Sequence, residues 1–303
     1  MAQPFTVVGT WTFSQAPALE AAKRLAYGHS ALDAVEAGIT IAEVDPTYGP
    51  YHVGCAGWRN SNNVLELDAA IMDGKQLSFG AVTALQGFPQ AISVARQVME
   101  KSRHSILTGS GAALFAESHG FKYQPNLGVN SPCGEPSSLA QVQCAGHDTL
   151  GLLALDGTGN ICAGVSTSGM SGKHPGRVGD STLPGCGLYA DSLYGAACCS
   201  GDGDEILKFC PSYKVVDLLK QGKNPQEACQ LVTNEISQHR GWKARFQLVI
   251  IAIDAKGQTG AGNLGVDTWT DCNTGKMYPG FPYTLRSHQD DDVLVQVVPS
   301  MTH

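Results

Sequence analysis

Thr149-Leu150-Gly151-Leu152-Leu153-Ala154-Leu155-Asp156-Gly157-Thr158-Gly159-Asn160-Ile161-Cys162-Ala163-Gly164-Val165-Ser166-Thr167 reads as two apolar strands around a glycine-rich turn. The turn chemistry of Asp156 to Asn160 makes the pair a β-hairpin. The stretch before it is unlike it. Residues 121–146 are rich in Pro, Ser, Asn and Gly and show no periodicity. They read as an exposed linker, long for a compact domain and therefore functional or mobile. Thr149 thus opens a strong strand directly after a linker, with Asp148 preceding it.

Working outward, residues 5–11 read as a strand and Pro17 to Ala26 as a helix stopped by Gly28. Ser30 and Asp33 form the pattern of a capping box that opens an alanine-rich helix to about Glu43. Residues 45–63 read as loop, and Val64 to Met72 as a strand or two. Pro89 to Lys101 carries apolar residues at helical spacing, and Ala112 to His119 is a further helix. Past the hairpin, residues 176–205 are dense in glycine. Helices follow from Pro211 to Gln221 and from Pro225 to about Ser237. Phe246 to Asp254 and the segment from Gly260 form a last hairpin around Ala255-Lys256-Gly257. No internal repeat is visible. Strands joined by tight turns favour antiparallel sheets over a doubly wound parallel one. Two helical layers around such sheets, an αββα sandwich of the α+β class, use these elements well.

The chain has 303 residues, 43% hydrophobic and 16% charged, which is an ordinary globular composition. Its net charge is −7 and it has no basic run, so nucleic acid is not an expected partner. The apolar stretch Leu248 to Ile253 suits a buried strand and is too short to span a bilayer, so no membrane partner is expected. Met1-Ala2-Gln3-Pro4-Phe5 has no basic or apolar leader pattern, which points to the cytoplasm, or to a lysosomal form only if a leader has been removed. Without a leader the ten cysteines read as reduced, mostly buried thiols, and the Cys198-Cys199 pair as packing, whereas in a lysosomal form with its leader removed the cysteines could pair.

Three local patterns carry chemistry. In Gly146-His147-Asp148-Thr149-Leu150-Gly151, breaking the Asp148–Thr149 bond would give Thr149 a free α-amine. Its pKa, about 7.7–8.0, suits a base acting on the adjacent hydroxyl. By itself the same string is also a β-branched residue starting a strand. In Gly176-Arg177-Val178-Gly179-Asp180-Ser181, Arg177 could grip an α-carboxylate through its planar fork and Asp180 an α-ammonium. A surface ion pair is the plainer reading. In Ser200-Gly201-Asp202-Gly203, the serine hydroxyl and a glycine N–H could form an oxyanion hole, or the segment could be a simple turn. Asp202 and Asp204 lack the remaining spacing of a calcium loop, and no metal or organic cofactor is expected. Gly260-Ala261-Gly262-Asn263-Leu264-Gly265 fits a dinucleotide fingerprint, but the residues after it are not helical by pattern.

These strings in combination resemble the glycosylasparaginase (aspartylglucosaminidase) family, relatives of plant-type asparaginases and isoaspartyl peptidases. The resemblance also runs through Ala163 to Gly169, Pro184 to Asp191, Thr10-Trp11-Thr12-Phe13, Ser30 to Gly38 and Leu67 to Gly74. It covers about residues 7 to 265 in order.

The resemblance implies a four-layer αββα N-terminal-nucleophile hydrolase. One domain would cleave itself into chains 1–148 and 149–303, which would assemble as a homodimer of processed heterodimers. It further implies cleavage at Asp148–Thr149, Thr149 as nucleophile, Thr167 as its support, and Arg177 and Asp180 gripping substrate. Trp11 would line the pocket, with Ser200 and Gly201 as oxyanion donors. The expected substrate is a small asparagine derivative, N4-(β-N-acetylglucosaminyl)-L-asparagine in the first place. Free asparagine or a β-aspartyl dipeptide is the alternative within the class, and an unprocessed, non-catalytic homologue the alternative outside it.

Three positions depart from the family pattern. Ser200 stands where threonine is usual. Ala56-Gly57-Trp58-Arg59-Asn60 replaces a glycine pair leading to Pro-Asp, which bears on the leaving group. The linker before the cleavage point is shorter than in lysosomal relatives.

Overall fold

A computed structural model describes residues 4–51, 53–125, 127, 149–239 and 246–300. Among the described residues of the first half, strands β1 (Thr6–Thr10), β2 (Leu67–Asp73), β3 (Ser78–Leu85) and β4 (Ile106–Thr108) accompany four helices. These are α1 (Gln15–Ala26), α2 (Ala31–Val44), α3 (Ala91–Lys101) and α4 (Gly109–Ser118). The second half opens with β5 (Leu150–Leu155), β6 (Ile161–Thr167), β7 (Leu188–Asp191) and β8 (Gly195–Gly201). Helices α5 (Gly203–Ile206), α6 (Pro211–Lys220) and α7 (Pro225–Ser237) follow. The chain then runs through β9 (Leu248–Asp254), β10 (Thr259–Leu264), β11 (Trp269–Thr270), β12 (Met277–Tyr278), β13 (Phe281–Ser287) and β14 (Leu294–Val298).

An eight-stranded sheet has the order β14-β13-β1-β5-β6-β2-β3-β4, and a four-stranded sheet the order β10-β9-β8-β7. The pairings are antiparallel except β3 with β4, which is parallel and which the tight-turn reading did not anticipate. The fold is therefore mixed α and β.

Apolarity on both faces of the central strands explains the packing. Along β9, Val249, Ile251 and Ile253 join the core shared with the large sheet, while Leu248, Ile250 and Ala252 join a second core under α6 and α7. The period of two divides one strand between two cores, because successive side chains point to opposite faces. Strand β8 does the same, with Cys198 in the first core and Cys199 in the second. Helices α1, α2 and α3 pack on the large sheet, α6 on β8 and α7 on β10. Each inner strand is thus covered twice, as a near-continuous apolar run requires.

Local signals behave as their chemistry dictates. The Ser30 hydroxyl accepts from the Asp33 N–H at 3.2 Å and the Asp33 carboxylate accepts in return from the Ser30 N–H at 3.3 Å, completing the capping box. The Asn224 side chain accepts from the Glu227 N–H ahead of Pro225 in the first turn of α7. Residues 45–63 contain two short 3₁₀ turns, Pro46–Tyr51 and Gly54–Ala56, where the sequence read as plain loop. The glycine-dense stretch 176–205 holds β7 and β8, hidden because their packing uses Ala, Cys and Gly in place of large branched residues. The thiol reading needs one correction: Cys272 is disulfide-bonded, while Cys55, Cys162, Cys186, Cys198, Cys199, Cys210 and Cys229 are free. Most of the linker, together with His147 and Asp148, lies outside the described residues.

Candidate active site

Three neighbouring strand ends in the large sheet bring hydroxyls together. β5 lies between β1 and β6, and Leu150 pairs with Ser166. One step further along the register, Thr149 meets Thr167, and the Thr149 Oγ1 donates to Thr167 Oγ1 at 3.2 Å. Thr167 Oγ1 also accepts from the Gly169 N–H at 3.0 Å, which fixes its rotamer. From β1, the Thr10 hydroxyl donates to the Thr149 carbonyl at 3.1 Å and accepts from the Gly151 N–H at 2.8 Å. Thr149 is therefore clamped through its main chain and aimed through its side chain, and only 5% exposed.

The small sheet supplies the next group. Strand β8 ends at Ser200-Gly201, and the Ser200 hydroxyl accepts from the Trp11 indole N–H at 2.9 Å. A hydroxyl with one acceptor position filled keeps its proton to donate elsewhere. Gly201 has φ +134°, a conformation in which a side chain is strained, and a Cβ there would strike the Gln247 carbonyl oxygen. Trp11 itself, with φ 58°, sits in a sparsely populated region that costs about 1–3 kcal/mol, found chiefly where surrounding structure demands it. Its ring packs 4.7 Å from Trp269 and edge-on to Phe281 at 4.8 Å. Trp11 is fully enclosed there and Ser200 is buried beside it, and neither is among the residues that line the cavity.

The cavity has a volume of about 370 Å³, within the size range of small-molecule sites. Thr149, Thr167, Gly201, Arg177 and Asp180 line it. A Cβ on Gly203 would lie 2.8 Å from Asp180 Oδ1 and 3.1 Å from Arg177 Nη2, so both charged groups converge above that glycine. The Arg177 fork holds the Asp204 carboxylate, with Nη2 donating at 2.9 Å and Nε at 3.2 Å. Asp204, weighed from sequence as a calcium ligand, is an arginine partner. Among the described residues no group of three or more His, Cys, Asp or Glu side chains is arranged to hold a metal ion.

Behind the wall lies an enclosed ion pair. Lys173 Nζ donates to the Glu66 carbonyl at 3.2 Å and stands 3.8 Å from Asp68 Oδ2. Burial raises the Asp68 carboxyl above its ordinary range, opposed by the Lys173 ammonium. Asp68 pairs in register with Thr167, so this contact ties the segment after Thr167 to β2.

The sequence gives no role to Thr10, Phe246 or Gln247, and marks Trp58 only through its loop's departure from the family pattern. Thr10 stood inside a quoted string with no sign that its hydroxyl reaches residue 149. Trp58, Phe246 and Gln247 belong to no chemical motif and reach the cavity only through folding.

Hydroxyls on strand ends, a glycine amide and a charged grip around one cavity suit attack on a carbonyl carbon, and the class so defined is the amidohydrolases. The family model described as Asparaginase matches residues 6–132 and 128–280. The chain is similar to the N(4)-(β-N-acetylglucosaminyl)-L-asparaginase of Elizabethkingia miricola, 39% identical over 265 residues, 84% of this chain and 77% of that one. It is also similar to the proteins of that name from Rattus norvegicus and Mus musculus. Each is 37% identical, over 87% of this chain and 85% of theirs. The chain belongs to the asparaginase family.

Proposed function

We propose that this protein hydrolyses the side-chain amide of an asparagine derivative, using Thr149 after it has become the first residue of its own chain. The fold we infer is the four-layer αββα sandwich of N-terminal-nucleophile hydrolases. Chains 1–148 and 149–303 stay associated, and two such heterodimers pair. The reading is carried by one observation: the Thr149 hydroxyl, buried at a strand end, donates to Thr167 on the wall of a cavity that also holds Arg177 and Asp180.

The chemistry follows from these groups. In the precursor, the Thr149 hydroxyl attacks the Asp148 carbonyl, the C–N bond breaks to leave an ester and a free α-amine, and water hydrolyses that ester to release the Asp148 carboxylate and the Thr149 hydroxyl. In the mature enzyme, the Thr149 Oγ attacks the side-chain carbonyl carbon of substrate and its proton passes to the Thr149 α-amine. The oxyanion is held by the Ser200 hydroxyl and the Gly201 N–H, each such donor being worth about 3–4 kcal/mol. The ammonium protonates the leaving nitrogen, the C–N bond breaks, and an aspartyl ester remains on Thr149. Water, deprotonated by the same amine, hydrolyses that ester. Arg177 takes the α-carboxylate and Asp180 the α-ammonium, so remote charge positions the reacting carbonyl. The substrate we assign first is N4-(β-N-acetylglucosaminyl)-L-asparagine, by analogy with what the relatives' names state.

The test is turnover of the glycosylated asparagine, L-asparagine and a β-aspartyl dipeptide side by side. Hydrolysis of any one supports an asparaginase-type amidohydrolase. Inertness toward all three, with the chain intact, would support a non-catalytic homologue.

A further inference from the structure

Three large apolar side chains, Trp58, Met170 and Phe246, line the cavity together with Arg177 and Asp180. Ammonia, the leaving group of free asparagine, makes no use of an indole. Trp58 is half-buried, so its ring is neither lost in the core nor loose in solvent.

Its loop is held in place with unusual thoroughness. The Trp58 N–H donates to the Ser168 hydroxyl at 2.8 Å, one residue past Thr167. The Gly172 N–H donates to the Arg59 carbonyl at 2.9 Å, and the Ser61 N–H to the Lys173 carbonyl at 2.8 Å. Gly57 packs so closely on Ser168 that a Cβ would overlap its side chain. The Asn60 side chain closes the loop by accepting from the N–H groups of Asn62 and Val64, both at 3.0 Å. These bonds join the Trp58 loop to the segment that supplies Gly169, Met170 and Ser171 to the same cavity wall. That segment is in turn anchored by the buried Lys173. A loop whose main chain is so fixed presents its tryptophan from a set position and has little backbone freedom to lose when a ligand binds, which favours a recognition surface.

We propose that Trp58 is the leaving-group platform, stacking on the flat C–H face of a pyranose N-linked to the substrate asparagine and so selecting glycosylated over unsubstituted asparagine. In the β-anomer of an N-acetylglucosaminyl ring the axial hydrogens on C1, C3 and C5 share one face, an apolar plane that matches an indole while the hydroxyls stay at the rim. This inference rests on the amidohydrolase reading above and adds a specificity determinant to it.

The experiment compares the wild-type enzyme with Trp58→Ala and Trp58→Phe on N4-(β-N-acetylglucosaminyl)-L-asparagine and on L-asparagine. Free N-acetylglucosamine is also tested as a competitive inhibitor of the wild type. For Trp58→Ala, the ratio of kcat/KM for the glycosylated over the free substrate should fall about tenfold or more, the scale of one buried aromatic anchor. The loss should lie in KM, and Trp58→Phe should recover most of it. N-acetylglucosamine should compete in the wild type. An equal fall for both substrates would mean a merely structural tryptophan and would overturn the proposal. So would an unchanged ratio, or a wild type that hydrolyses L-asparagine but neither cleaves the glycosylated form nor is inhibited by the sugar. In that last case the amidohydrolase reading stands; a wild type inert toward both substrates and a β-aspartyl dipeptide removes that reading and the platform with it.

Discussion

The Trp11 indole N–H donates to the Ser200 hydroxyl across 2.9 Å, joining residues 189 apart in sequence. The bond fills one acceptor position of the Ser200 hydroxyl, so in the proposed mechanism that hydroxyl keeps its proton for the oxyanion and Trp11 acts by positioning it. Trp11→Phe deletes the N–H and keeps an aromatic side chain, though a smaller one, against Trp269 and Phe281. In steady-state kinetics kcat should drop about tenfold, the cost of one misaligned buried hydrogen bond, with KM nearly constant. Ser200→Ala should cost more, about 10²–10³ in kcat. Equal losses in KM would instead place Trp11 in substrate binding.

Thr149→Ala should abolish both chain cleavage and turnover, with residual activity below about a thousandth of wild type. A band of intact length on a denaturing gel, together with an inert protein, is the expected outcome. A variant still able to hydrolyse substrate would identify another nucleophile.

Arg177 directs its fork at Asp204. The Asp204 side chain is 49% exposed, so the pair is a weak one. Asp204→Asn should leave the arginine available to an incoming carboxylate and lower KM about two- to fivefold. Arg177→Lys, which loses the bidentate geometry, should raise it by more. Opposite signs for the two variants are the check.

Glu43 is fully buried, accepting from the Ser166 hydroxyl at 2.6 Å and from the Ile92 N–H at 3.0 Å, and burial pushes its carboxyl up to about 8 from 4.5. The folded protein therefore holds a proton that the unfolded chain has released over that interval. Stability from this group is complete below about pH 4.5 and is lost as pH rises toward 8, at up to ~1.4 kcal/mol per unit. Thermal melts between pH 5 and 8 should show that decline in the wild type and a flatter profile in Glu43→Gln. A steeper decline in the variant would contradict the assignment.

Much of this was legible in the sequence. The hairpin from Thr149 to Thr167 announced itself by a continuous apolar run around a glycine turn, and the Ser30–Asp33 box by local side-chain chemistry. Both depend on neighbours in the chain. The Trp11–Ser200 bond and the Thr10 clamp depend on sheet order, which no local pattern encodes. Strands β7 and β8 escaped because small residues pack between two sheets without the bulky alternation that marks a strand. Trp58 stood out only as a departure from the family pattern. Its place on the cavity wall comes from three hydrogen bonds to a segment over 100 residues away.

The central claim is that residue 149 becomes a chain end, so that one threonine supplies both the attacking oxygen and the base. Intact-protein mass spectrometry of the purified, active protein tests it most directly. The prediction is two polypeptides matching 1–148 and 149–303, the second beginning with an unmodified threonine. A single uncut chain that retains full activity would contradict it.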